Sequence, residues 1–134
     1  MADRGLKQRE HKPTAAELEI LHVLWRRGPS TVREVMEFLN KKKDMGYTGV
    51  LKLMQNMTAK GIVRRNEAQR AHVYEASRPA EQTKRQLARD ILQRVFEGST
   101  SQLMAHAIGG RRPSRKEIEE IRGILQPYGD EADD

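Results

Sequence analysis

Between Val32 and Glu75 the apolar residues fall twice into helical register and then change period. Val32, Val35, Met36 and Leu39 stand at i, i+3, i+4 and i+7, and Val50, Leu53, Met54 and Met57 repeat that spacing. Each set lines one face of a helix. The segment Asn40–Gly46 reads as the turn between them, and the second of these helices is predicted from about Thr48 to Lys60. Gly61 stops it. Ile62–Asn66 and His72–Ala76 then read as two short strands joined through Ala68–Ala71. A helix pair followed by a basic hairpin is the layout of a winged helix-turn-helix. Such a unit can put one helix in the major groove of DNA and a wing on the backbone.

The flanking segments extend this head. Thr14-Ala-Ala-Glu17 fits a capping box that opens a first helix, with Leu18, Leu21, Leu24 and Trp25 turned inward. Gly28-Pro29 ends it, and Ser30 or Thr31 caps the next helix, with Glu34 three residues after Thr31. Met1–Pro13 reads as a mobile arm. Pro79 marks a boundary between a head, residues 1–78, and a helical tail, residues 79–134. In the tail, helices are predicted over Glu81–Phe96, over Gln102–Ile108 and onward from a second capping box at Ser114–Glu117. Gln126-Pro127 is expected to close the last helix, before an acidic, disordered end at Asp130–Asp134.

Charge separates the same two parts. Residues 1–78 carry 16 Lys and Arg against 9 Asp and Glu, net +7; residues 79–134 carry 9 against 10, net −1, which together recover the +6 of the whole chain. The basic surface therefore lies where the helix-turn-helix lies. The tail has another asset. Leu87, Ile91, Val95, Phe96, Leu103, Met104, Ile108, Ile118, Ile121 and Leu125 form apolar stripes on helices too short to bury them alone. At roughly 1.5–3 kcal/mol for each large side chain fully buried, they would drive a core completed by a partner. A second copy is the simplest partner, because twofold dimers are the commonest oligomers.

Composition excludes several classes. The chain has no cysteine, so disulfides and thiolate metal sites are ruled out. His11, His22, His72 and His106 are scattered, without ligand spacing, so no metal or cofactor is expected. There is no glycine-rich phosphate loop, nucleophile elbow or His-Glu metal motif, so the chain does not read as an enzyme. Aromatics make up 4% of residues, too few for the stacking face of a single-strand binder. No apolar run approaches the ~18 residues of a membrane span. Met1–Lys12 is charged and lacks a signal-peptide core, so a cytoplasmic protein is expected.

The candidate interface follows from the spacing of the third helix. Val50, Leu53, Met54 and Met57 turn inward, which leaves Thr48, Gly49, Leu51, Lys52, Gln55, Asn56 and Ala59 outside. Gln and Asn can pair with adenine, Lys can reach guanine or phosphate, and Leu51 can touch a thymine methyl. A solvated helix face is the plain alternative. Gly49 is open to two readings, close approach of a phosphate or a frayed first turn. Arg64, Arg65 and Arg70 cluster around the hairpin and suit backbone contact, with Arg70 in its turn able to enter a minor groove or hold a phosphate. His72 suits a phosphate when protonated, but reads first as a plain strand residue. Lys41-Lys42-Lys43 suits phosphates or plain solvation. Trp25 sits on the buried line of the first helix and reads as core.

Specific strings now carry a resemblance. Thr14-Ala-Ala-Glu-Leu-Glu-Ile-Leu-His-Val-Leu-Trp25, Val32-Arg-Glu-Val35, Tyr47-Thr48, Val50, Lys60-Gly61-Ile62-Val63 and Gln69-Arg70-Ala71-His72-Val73-Tyr74 resemble the penicillinase repressor family, the BlaI/MecI group. In the tail, Phe96-Glu-Gly98-Ser and Ser114-Arg-Lys-Glu-Ile-Glu-Glu-Ile-Arg122 are similar to it too. The resemblance implies a bacterial transcriptional repressor that dimerises through its C-terminal helices and binds a palindromic double-stranded DNA operator with two winged heads. It also implies release through a membrane-bound sensor-protease pathway, by cleavage near Gln93–Gly98. Gly49, Leu51 and Gln69 depart from the family's pattern, in the reading helix and at the wing turn. The lack of cysteine removes the tail metal site of copper-responsive relatives.

The expectation is therefore a homodimeric DNA-binding repressor: a winged helix-turn-helix followed by a helical dimerisation domain. Leu87, Ile91, Val95, Phe96, Leu103, Ile108, Ile121 and Leu125 are expected at the dimer contact. The alternative is a winged-helix adaptor that binds proteins and uses its basic head only for solubility.

Overall fold

The computed structural model describes residues 12–41 and 44–129. Residues 1–11 of the N-terminal arm, Lys42, Lys43 and the acidic end at Asp130–Asp134 lie outside the described residues. The elements run α1 (Ala15–Arg27), α2 (Val32–Leu39), α3 (Tyr47–Lys60), β1 (Val63–Asn66), β2 (Val73–Ala76), α4 (Ala80–Arg94), α5 (Thr100–Gly109) and α6 (Arg115–Gly129). The fold is mainly helical with one small hairpin, a winged helix-turn-helix followed by helices. It divides into a unit ending at Leu87 and a second beginning at Ala88.

Local chemistry sets the helix ends of the first unit. Thr14 caps α1 and Thr31 caps α2, each in a reciprocal box with the Glu three residues on. In each box a hydroxyl and a carboxylate satisfy amides that the first turn leaves unpaired. α3 starts at Tyr47, one residue earlier than expected, behind Gly46 and with no side-chain cap. Its far end is a Schellman closure. Gly61 adopts the left-handed conformation (φ 80°), its amide donates to Thr58, and the Ile62 amide donates to the Met57 carbonyl at 3.1 Å.

The core is the meeting of these helices with the hairpin. Ile20, Leu21, Val23 and Leu24 of α1, Val32 and Val35 of α2, Val50, Met54 and Met57 of α3, and Val63 and Tyr74 of the strands are all buried. Leu18 and Trp25, expected inward, are only partly buried, and so is Leu53. Leu51, expected on the outer face of α3, instead packs partly against the core.

β1 and β2 pair antiparallel, with Val63 opposite Ala76, Arg65 opposite Tyr74 and Asn66 opposite Val73. Both strands are shorter than the apolar pattern suggests, because Ile62 belongs to the helix closure and His72 to the turn. Ser30 extends the sheet from the other side of β2. Its amide donates to the Tyr74 carbonyl at 2.9 Å, and the Tyr74 amide donates to the Ser30 carbonyl at 2.8 Å. Ser30 is therefore buried sheet backbone, and the capping role falls to Thr31.

The second unit differs in kind. No residue of its described part is buried. α4 ends at Arg94, short of the expected Phe96. Glu97 (φ 50°) and Gly98 (φ 85°) then turn the chain, and the Gly98 amide closes on the Leu92 carbonyl at 2.8 Å. α5 starts earlier than expected, at Thr100, because the Ser99 hydroxyl accepts from the Gln102 amide. α6 does not stop at Gln126-Pro127 but runs to Gly129. Pro127 lies in its last turn, where the missing N–H costs one terminal bond and leaves the rest of the ladder intact.

Candidate nucleic-acid interface

α3 presents one face with no task inside the protein. Thr48, Gly49, Lys52, Gln55, Asn56 and Ala59 are exposed. The side chains of Thr48, Lys52, Gln55 and Asn56 make no hydrogen bond or ion pair among the described residues. A Cβ placed on Gly49 would meet nothing within 4 Å, and the helix runs through it from Tyr47. Neither a close contact within the chain nor a broken turn therefore calls for glycine there.

The opposite face of α3 is held at two levels. Val50, Met54 and Met57 are sealed in the core. At the C-terminal end, Lys60 Nζ lies 2.7 and 3.0 Å from the two carboxylate oxygens of Glu17, which is only 2% exposed. Glu17 also accepts from the Thr14 amide at 2.9 Å. One carboxylate thus caps α1 and anchors the last turn of α3. The sequence shows the cap but not the anchor, since the two partners are 43 residues apart.

The arginines of the hairpin divide into two groups. Arg64 pairs with Glu75 across the strands at 3.4 Å, and Arg65 pairs with Glu67. The Tyr74 side chain and then the Glu67 carboxylate hold the Arg65 guanidinium above its ordinary value, favouring its charged form. Both cations therefore have a protein anion beside them. Arg70 has none among the described residues. Lys41, the described member of the lysine run, lies over the Phe38 ring at 4.7 Å. Trp25 packs edge-on to His22 and donates from Nε1 to the Arg78 carbonyl at 3.1 Å, so it is engaged within the protein.

A cleft of about 310 Å³ opens where the N-terminal ends of α2 and α3 face the wing. Thr31, Arg33, Tyr47, Leu51, Arg70 and His72 are among its lining residues. Arg33 and Tyr47 escaped the sequence reading. Their signal was present, because both lie off the apolar stripes at helix starts, but only the fold brings them to Arg70.

The tail residues expected at a dimer contact form a different pattern. Ile91, Val95, Ile108 and Leu125 are exposed, Val95 at 65%, while Leu87, Phe96, Leu103 and Ile121 are partly buried. Phe96 meets the His106 ring at 5.5 Å. Among the described residues no cluster of His, Cys, Asp and Glu could hold a metal, and no helix is long and apolar enough to cross a membrane.

Three helices closed by a two-stranded hairpin define the class of winged helix-turn-helix proteins. Within that class the chain belongs to the penicillinase repressor family, whose pattern matches residues 13–127. It is 22% identical to the penicillinase repressor of Staphylococcus aureus over 110 residues, 82% of this chain and 87% of the relative. It is 20% identical to the methicillin resistance regulatory protein MecI of Staphylococcus aureus strain N315 over 120 residues, 90% and 98% of the two chains. Over 59 residues, 43% of each chain, it is 37% identical to the transcriptional regulator BlaI of Mycobacterium tuberculosis.

Proposed function

We infer that this protein is a cytoplasmic transcriptional repressor that binds a palindromic duplex operator as a homodimer. The observation that carries the reading is the outer face of α3, where Lys52, Gln55 and Asn56 stand exposed and unpartnered on a net-basic head. Those side-chain types read base edges in the major groove. The names of its relatives support repression. Residues 1–78 act as the reading head and residues 79–134 as the dimerisation part, with Ile91, Val95, Ile108 and Leu125 exposed in the monomer and covered in the dimer.

Two joined heads gain avidity of roughly 10²–10⁴ over one. Control follows from that gain. Cleavage near Gln93–Gly98 by a sensor-protease pathway removes it and leaves each head with a weak half-site contact. The exposure of Gln93, Arg94 and Glu97, outside the apolar contact, supports access there.

Sedimentation of the full chain at micromolar concentration should give about twice 15.4 kDa, and Val95→Asp should give a monomer. Footprinting on the promoter of its own gene should then show two protected half-sites for the wild type and far weaker protection for Val95→Asp. A protein without footprint or salt-sensitive DNA binding would leave the adaptor reading in its place.

A further inference from the structure

The cleft between helix starts and wing differs from the rest of the basic surface in one respect. Arg33 and Arg70 both line it, and neither has an ion-pair partner among the described residues. No carboxylate is among its lining residues. Arg64 and Arg65, on the neighbouring strand, are each neutralised by a glutamate. Two uncompensated guanidinium groups facing one concavity repel each other unless an anion lies between them. The hydroxyl of Tyr47 and the imidazole of His72 add hydrogen-bonding groups at the same place. Val32, Leu51 and Ala71 give the cleft an apolar side as well. A lining that combines cations, hydrogen-bonding groups and aliphatic carbon matches a sugar–phosphate unit, with the anion held by the arginines and the deoxyribose against Leu51.

We propose that this cleft is a sugar–phosphate site for the DNA backbone, with Arg33 and Arg70 as its two arms. The proposal rests on the head binding duplex DNA and adds where one backbone strand is held. It makes Arg33, outside the reading helix, a DNA-binding residue. It also assigns Leu51, which lines the cleft while packing partly against the core, to the backbone instead of a thymine methyl. A strand seated there touches α2, α3 and the wing together, so one phosphate contact sets the register from which Gln55 and Asn56 read bases.

The test uses the full chain and a duplex of arbitrary sequence about 30 base pairs long, because a backbone contact is independent of sequence. Binding is measured across a range of salt concentrations for the wild type, Arg33→Ala, Arg70→Ala and Arg115→Ala. Arg115, on α6, serves as a control for the loss of one charge. Arg33→Ala and Arg70→Ala should each lower the slope of log affinity against log salt by about 0.9, and Arg115→Ala should leave it unchanged. Trp25 fluorescence checks that each variant is folded. A wild type that fails to bind sinks the reading of the head, and the cleft with it. A wild type with a steep slope that Arg33→Ala leaves intact overturns the cleft alone, as does an equal effect of Arg115→Ala. Inorganic phosphate, titrated at constant ionic strength, should displace the duplex no better than chloride. Strong displacement would mark a free-anion site and overturn the assignment to DNA.

Discussion

Replacing Lys60 with methionine should be among the most damaging single changes at a residue that touches neither the core interior nor DNA. Glu17 is 2% exposed, and its carboxylate relies on Lys60 at 2.7 and 3.0 Å and on the Thr14 amide at 2.9 Å. Methionine keeps much of the aliphatic stem and removes the charge. The carboxylate is then left buried with one amide donor. Breaking a fully buried pair costs about 3–5 kcal/mol. The Lys60 side chain is 29% exposed, so water offsets part of that loss and about 2–3 kcal/mol is expected. For a unit of this size, that lowers Tm by roughly 8–24 °C. Trp25 is the sole tryptophan and packs against the core of the first unit, so its fluorescence during urea unfolding reports the head selectively. Combining Glu17→Gln with Lys60→Met removes the orphaned charge. The double variant should therefore be more stable than the sum of the single losses implies, with a coupling of at least about 1 kcal/mol. If Lys60→Met unfolds at the wild-type urea midpoint, or if the two losses simply add, the carboxylate does not depend on the lysine and the anchor is wrong.

Other consequences are smaller. The Thr31 backbone amide, beyond the contribution of the Arg27 guanidinium, holds the Glu34 carboxyl below its ordinary 4.5. Its stabilisation is therefore full above that value and is lost as pH falls through the lower folded value; unfolding followed against pH should show the gap between wild type and Glu34→Gln closing in acid, and a gap that widens there would refute the cause. Trp25→Phe keeps most of the packing but removes the bond to the Arg78 carbonyl, and should cost about 1 kcal/mol by circular dichroism in urea, with no loss at all counting against that bond. Gln55→Ala should shift sequence preference at a single base pair by ~1–3 kcal/mol in selection from random duplexes, whereas uniform weakening across all sequences would place Gln55 on the backbone.

What the sequence determined by itself is local. The capping boxes at Thr14 and Thr31, the stripes of α2 and α3, the stop at Gly61 and the hairpin all follow from spacings of three, four or two residues, because helices and strands repeat at those intervals. The exposed polar face of α3 follows too, as whatever the stripe leaves over. Leu51 lies off that stripe yet packs partly against the core, because its exposure depends on what stands opposite α3. By residue type Arg64, Arg65 and Arg70 form one group, but glutamates neutralise the first two and leave Arg70 without an anion among the described residues. Tertiary structure alone joined Ser30 to Tyr74, Lys60 to Glu17, and Arg33 to the cleft of Arg70. The physical reason is range. A periodicity records which face of its own element a residue occupies, whereas a charge or an edge strand finds its partner only after the chain has closed loops of tens of residues, and no local spacing encodes which groups then meet.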